Sequence, residues 1–160
     1  MTTIAWDGKT LAADRLAITS NNGFLAVPKI HKFHLATGTL LFAGAGSLDA
    51  VLAMYYWVQE GCRRDYYPPS QTGSDWAEIL VVHEKPQGVC GYQKKTGHLF
   101  VYMQSPFPLI ADINQYALGS GARYAVGAMS AGASAENAVL IASRFDKGTG
   151  DQVETLDFEH

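Results

Sequence analysis

The stretch Met1-Thr2-Thr3-Ile4-Ala5-Trp6-Asp7-Gly8-Lys9-Thr10-Leu11-Ala12-Ala13-Asp14 decides how this 160-residue chain is read. Thr3-Ile4-Ala5-Trp6 and Thr10-Leu11-Ala12-Ala13 flank Asp7-Gly8, which predicts a β-hairpin because glycine accepts the positive φ of a tight turn. Removal of Met1 would leave Thr2 with a free α-amine beside its own hydroxyl. An α-amine has a pKa of about 7.7–8.0, so near neutrality much of it can accept a proton. One residue can then supply both nucleophile and base.

Working outward, Gly23 to Val27, Lys29 to Leu35 and Thr39 to Ala43 read as strands, with a turn at Thr37-Gly38 and Pro28 at an edge or bend. Ser47 is a good N-cap, and Asp49 favours the first turn of the helix it opens. Leu48, Val51, Leu52, Tyr55 and Tyr56 fall at helical spacing and predict its apolar face; Gly61 stops it. Residues 62–75, with Pro68-Pro69 and Gly73, read as a loop.

Strands resume at Ala77 to His83, Val89 to Gln93 and His98 to Met103, joined by Pro86-Gln87-Gly88 and Lys95-Thr96-Gly97. Ser105-Pro106-Phe107-Pro108 breaks the pattern. A short strand at Tyr116 to Leu118 runs into Gly119-Ser120-Gly121. Two helices follow. Ala122, Ala125, Val126 and Met129 mark the first; Ser134 caps the second, whose face is Ala135, Ala138, Val139 and Ala142. Asp146 to Gly150 ends that helix, and Val153 to Phe158 reads as a last strand. The order suits an α+β domain of antiparallel sheets with helices outside, one domain over residues 1–160, rather than alternating βαβ units.

Composition narrows the function. Hydrophobic residues at 48% and charged residues at 17% fit a globular protein. A net charge of −3 lacks the basic patch a nucleic-acid interface needs. No run approaches the roughly 20 apolar residues of a membrane span, and none resembles a secretory segment. Cys62 and Cys90 form no CxxC pair, so both are expected to be structural in a reducing, cytoplasmic setting. His31 and His34, i and i+3 on a strand, should face opposite ways, so no metal site is expected there.

With those elements in order, the chain resembles the proteasome β-subunit family, including the bacterial HslV-type peptidases, which are N-terminal nucleophile hydrolases. The resemblance covers nearly the whole length. It rests on Met1-Thr2-Thr3-Ile4, Ala12-Ala13-Asp14, Pro28-Lys29-Ile30-His31-Lys32-Phe33 and Phe42-Ala43-Gly44-Ala45-Gly46-Ser47-Leu48-Asp49-Ala50. It continues through Tyr116-Ala117-Leu118-Gly119-Ser120-Gly121 and Arg144-Phe145-Asp146-Lys147-Gly148-Thr149-Gly150. Relatives carry two helices between the glycine turn and the middle strands, where residues 62–76 read as loop-like here.

The resemblance implies a four-layer αββα sandwich with Thr2 as the processed nucleophile. Lys29 matches the catalytic lysine and Asp14 the aspartate that orients it. Gly44, Ala45 and Gly46 match the loop whose backbone N–H is the oxyanion donor, an effect worth about 2.7–4 kcal/mol per donor. Ser120 matches the serine near the amine, and Asp146 and Thr149 the acid and hydroxyl that complete the network.

It further implies a threonine endopeptidase forming a homo-oligomeric ring, with no cofactor, acting on peptides or unfolded proteins that an ATPase unfoldase could deliver. Val27 and Leu41 would line the substrate wall and favour apolar side chains. The residues fit these roles chemically. A lysine near the Thr2 hydroxyl favours its alkoxide and discourages protonation of the neighbouring amine. The alternatives are a small-molecule amidase using the same nucleophile outside a ring, and a scaffold that keeps the fold without the chemistry.

Overall fold

In the computed structural model, residues 1–68, 76–84, 98–111 and 113–159 are described. The expected strand at 89–93, its flanking turns, Cys90 and residues 69–75 of the expected 62–75 loop lie outside them. The chain divides into two compact units: Met1–His31 with Asn114–His160, and Lys32–Ile113.

The first unit is built on a four-stranded antiparallel sheet, ordered β10-β1-β2-β11. Its strands are β1 (Thr3–Trp6), β2 (Leu11–Asp14), β10 (Tyr116–Gly119) and β11 (Val153–Leu156). The hairpin forms as the sequence predicts. Gly8 takes φ +96°, and Asp7 Oδ1 accepts the N–H groups of Lys9 at 3.0 Å and Thr10 at 2.8 Å. The same carboxylate reaches further, since its Oδ2 accepts the N–H of Ala135 at 2.8 Å. That satisfies one of the open donors at the start of α3 (Ala135–Ser143). Ser134 Oγ accepts from Asn137 N at 3.3 Å and caps the helix as expected.

Helices α2 (Ala122–Ser130) and α3 pack on one face of this sheet. The buried residues between them are Ala5, Ala12, Ala117, Ala125, Ala135, Ala138 and Ala142 with Met129 and Val139. Alanine there lets helix and sheet backbones approach closely. The expected α3 face is buried in full; of the α2 face, Ala125 and Met129 are buried while Val126 is 40% exposed. A two-stranded hairpin, β3 (Leu16–Ile18) with β4 (Phe24–Ala26), completes the unit. β3 was not expected from the sequence.

The second unit carries a five-stranded sheet ordered β5-β6-β7-β8-β9. These are Ile30–Leu35, Gly38–Gly46, Ala77–His83, His98–Tyr102 and Leu109–Ala111; the chain passes between units inside β5. β9 was also not expected. Helix α1 (Leu48–Gln59) covers one face over Phe33, Phe42, Ile79, Val81, Phe100 and Tyr102.

The expected face of α1 needs correction. Ala50, Met54, Trp57 and Val58 are the buried residues, with Val51 and Tyr55 packed against them. Leu48 is 70%, Leu52 45% and Tyr56 60% exposed. Ser47 precedes the helix with extended φ/ψ but makes no side-chain cap. Gly61 does terminate it, at φ +91°, and a 3-10 turn follows at Arg64–Tyr66. No helix among the described residues is long and apolar enough to cross a membrane.

Candidate active site

Antiparallel pairing of β1 with β10 sets Thr3 opposite Gly119, which carries Thr2 to the Gly119-Ser120-Gly121 turn. The approach is close. A Cβ added at Gly119 would collide with the carbonyl of Thr2, and one at Gly121 with Thr3 Oγ1. Gly119 also has φ +93°, so glycine is required there on both counts.

Asp14, at the end of β2, has no exposed surface. Its Oδ1 accepts Thr3 N at 2.8 Å, and its Oδ2 accepts Leu16 N and Gly150 N, both at 3.0 Å. Lys29 Nζ then binds both carboxylate oxygens, at 3.0 and 2.9 Å. A buried carboxylate needs such company. The same ammonium lies 3.5 Å from the Met1 carbonyl, the bond preceding Thr2. Burial pulls the Lys29 pKa below its ordinary 10.5, opposed by the hydrogen bond to Asp14 and the charges of Asp14 and Glu154.

A second chain of contacts approaches Thr2 from the other side. Ser120 Oγ and Thr149 Oγ1 each donate to Asp146 Oδ2 at 2.6 Å. Each hydroxyl has one proton, so both are left as acceptors. Ser120 accepts from Thr2 N at 3.3 Å, and Thr149 accepts from Thr3 Oγ1 at 2.5 Å. Partial burial would raise the Asp146 pKa, but the bonds from Ser120, Thr149 and Gly148 outweigh it and hold the group below 3.8. Thr2, Asp14, Lys29, Ser120, Asp146 and Thr149 thus form one constellation inside the first unit.

Two residues in this network carried no local sequence signal. Thr3 joins the two halves, touching Asp14 through its N–H and Thr149 through its hydroxyl. Glu154 Oε1, on β11, accepts the N–H groups of Lys29 and Ile30. It fixes the backbone from which Lys29 projects. Neither contact could be read from spacing, because Glu154 lies 125 residues beyond Lys29 in sequence.

Gly44, Ala45 and Gly46 are the last residues of β6, in the second unit. Their glycines have reasons internal to that unit. A Cβ at Gly44 would come within 2.8 Å of Val51 and Ile79, so its absence lets α1 settle on the sheet. Gly46 combines φ +131° with a clash against Trp76 and Ala77. Leu41 is fully buried in β6; Val27, between β4 and β5, is half-buried and bonded to the Arg15 carbonyl at 2.8 Å.

Cys62 is half-buried, and burial pushes its thiol to about 11, a hydrogen bond with Tyr102 opposing. That thiol is a poor nucleophile at neutral pH. No trio of His, Cys, Asp or Glu able to hold a metal occurs among the described residues.

No family model and no curated protein matches the chain. Solved structures do. HslV from Trypanosoma brucei superposes with TM-score 0.64 at 16% identity, covering 98% of this chain and 99% of that one. The Anbu (Gly-1) mutant from Hyphomicrobium sp. strain MC1 gives 0.72 at 12% identity, covering 99% and 82%. Anbu, described as an ancestral beta-subunit, from Yersinia bercovieri gives 0.69 at 14% identity with the same coverage. The α+β class of antiparallel sheets expected from the sequence is therefore present, and the chain shares the fold of HslV and Anbu.

Proposed function

We propose that this protein is a threonine peptidase of the proteasome-like kind, hydrolysing peptide bonds through an acyl ester on Thr2 exposed by Met1 removal. One observation carries the reading: the buried Lys29–Asp14 pair sets an ammonium within 3.5 Å of the Met1 carbonyl, at the bond whose loss frees the Thr2 amine.

Thr2 Oγ attacks the peptide carbonyl, and its proton passes to the Thr2 amine. The Lys29 cation stabilises the developing alkoxide and holds the amine neutral by like-charge repulsion. The amine returns the proton to the leaving nitrogen, and water then hydrolyses the ester along the reverse path. Ser120, kept an acceptor by Asp146, orients the amine so that its lone pair stays free. The resemblance assigns the oxyanion donors to Gly44–Gly46. The same reading makes the working form a homo-oligomeric, cytoplasmic ring that secludes its sites, with unfolded polypeptide supplied by an ATPase.

Intact-mass measurement before and after treatment with a peptide epoxyketone tests this. The expected product is a chain beginning at Thr2 that gains one inhibitor mass, absent in Thr2→Ala. A purified chain that retains Met1, or a trimmed chain that gains nothing, would overturn it.

A further inference from the structure

Outside the constellation, the first unit holds a cavity of about 320 Å³ between the β3–β4 hairpin and the segment after Thr149. Its lining includes Arg15, Leu16, Phe24, Leu25, Gly150 and Asp151. The cavity borders the catalytic pair directly, since Leu16 and Gly150 are the two residues whose N–H groups hold Asp14 Oδ2.

Arg15 is the unusual member. Its Nε is buried without a hydrogen-bond partner, and among the described residues no ion pair reaches its guanidinium. Asp151 also lines the cavity and is exposed, and no ion pair within 4.0 Å joins it to Arg15. Arg15 as a whole is half-buried, and a carboxylate is the best-matched acceptor for its guanidinium. The hairpin meanwhile leaves Phe24 72% and Leu25 56% exposed beside it. The volume is at the small end of ligand pockets, which run from about 300 to 1,000 Å³. It has room for one or two side chains.

We infer that this cavity is a substrate subsite for an acidic side chain of the peptide, glutamate above all. The carboxylate would meet Arg15 while its methylenes pack on Leu16, Phe24 and Leu25. The inference rests on the peptidase reading and adds a specificity to it. Val27, where an apolar preference is expected, does not line this cavity.

The test uses the full chain carrying Thr2→Ala, so that peptides bind without turnover. Hexapeptides blocked at both ends differ only in Glu or Gln at one position, moved along the peptide. A third peptide has Gln throughout and a free C-terminal carboxylate. In one register Glu should bind roughly tenfold more tightly than Gln, the size of one charge-assisted hydrogen bond. Arg15→Met should erase the difference. Equal affinity in every register, an advantage that survives Arg15→Met, or a gain only with the free C-terminus would each overturn the subsite. The Glu/Gln comparison needs no substitution at Arg15, so misfolding of that variant leaves the test intact. Epoxyketone labelling of the unsubstituted chain is read separately: an adduct without acid preference sinks the subsite alone, and acid preference without an adduct sinks the peptidase reading and leaves the cavity a binding site for acidic peptides rather than a substrate subsite.

Discussion

The two units of this chain handle polar groups in opposite ways. The first buries Thr2, Thr3, Asp14 and Thr149, and packs its helices through alanines. The second fills its core with Phe33, Phe42, Met54, Trp57, Phe100 and Tyr102, joined by edge-on aromatic pairs such as Phe33–Phe42 at 6.2 Å and Trp57–Tyr102 at 5.2 Å. Large apolar side chains provide stability with little need for exact partners. Buried carboxylates and hydroxyls must each be matched by a donor or acceptor, and that matching is what positions reactive atoms. The buried polar network and the aromatic core thus lie in different units of the molecule.

The contrast is most severely tested at Asp14. Replacing it with Ala leaves Lys29 and the N–H groups of Thr3, Leu16 and Gly150 without their acceptor. Breaking a buried pair in this way costs about 3–5 kcal/mol. Urea unfolding should show that loss, and epoxyketone labelling should vanish with it. Met54→Ala, in the aromatic core, should cost a comparable 2–5 kcal/mol or so. Labelling of the folded fraction should nonetheless proceed at its normal rate; a slowed rate would dissolve the distinction between the units.

Gly44→Ala comes next. Its methyl must displace Val51 or Ile79, for about 1–3 kcal/mol of overpacking by thermal melts. Glu154 sharpens the comparison from the other side. Glu154→Ala should slow labelling roughly tenfold by loosening the Lys29 backbone, while Glu154→Gln, which keeps the accepting oxygen, should recover most of it.

The smallest effect is a pH dependence. Asp146 has a folded pKa below 3.8, so its contribution is complete above that value and fades as pH falls through the lowered one. Melting temperature should therefore fall less steeply below pH 4 in Asp146→Asn than in the unsubstituted protein.

Where one signal dominated, the sequence could be read directly. Asp7-Gly8 specified the hairpin, and alanines at 135, 138 and 142 specified the buried side of α3. Helix α1 is apolar around most of its circumference, so periodicity selected an arc including Leu48, Leu52 and Tyr56 that faces outward. Strand β3 has only three residues, and β9 begins directly after Pro108, leaving neither a pattern to recognise. At the site, charged and hydroxyl residues matched family motifs one by one. The contacts of Thr3, Glu154 and Arg15 depend on strand register and on a hairpin whose existence was not foreseen. No local pattern encodes those.

Gly148 adds a last consequence. The three atoms nearest to a Cβ built there all belong to Met1, its own Cβ among them. A methyl at position 148 would crowd Met1 and, on the proposed peptidase reading, be spared that encounter in a chain trimmed to Thr2. Alanine at 148 would thus act as a maturation gauge, disfavouring the precursor while leaving the trimmed product less affected.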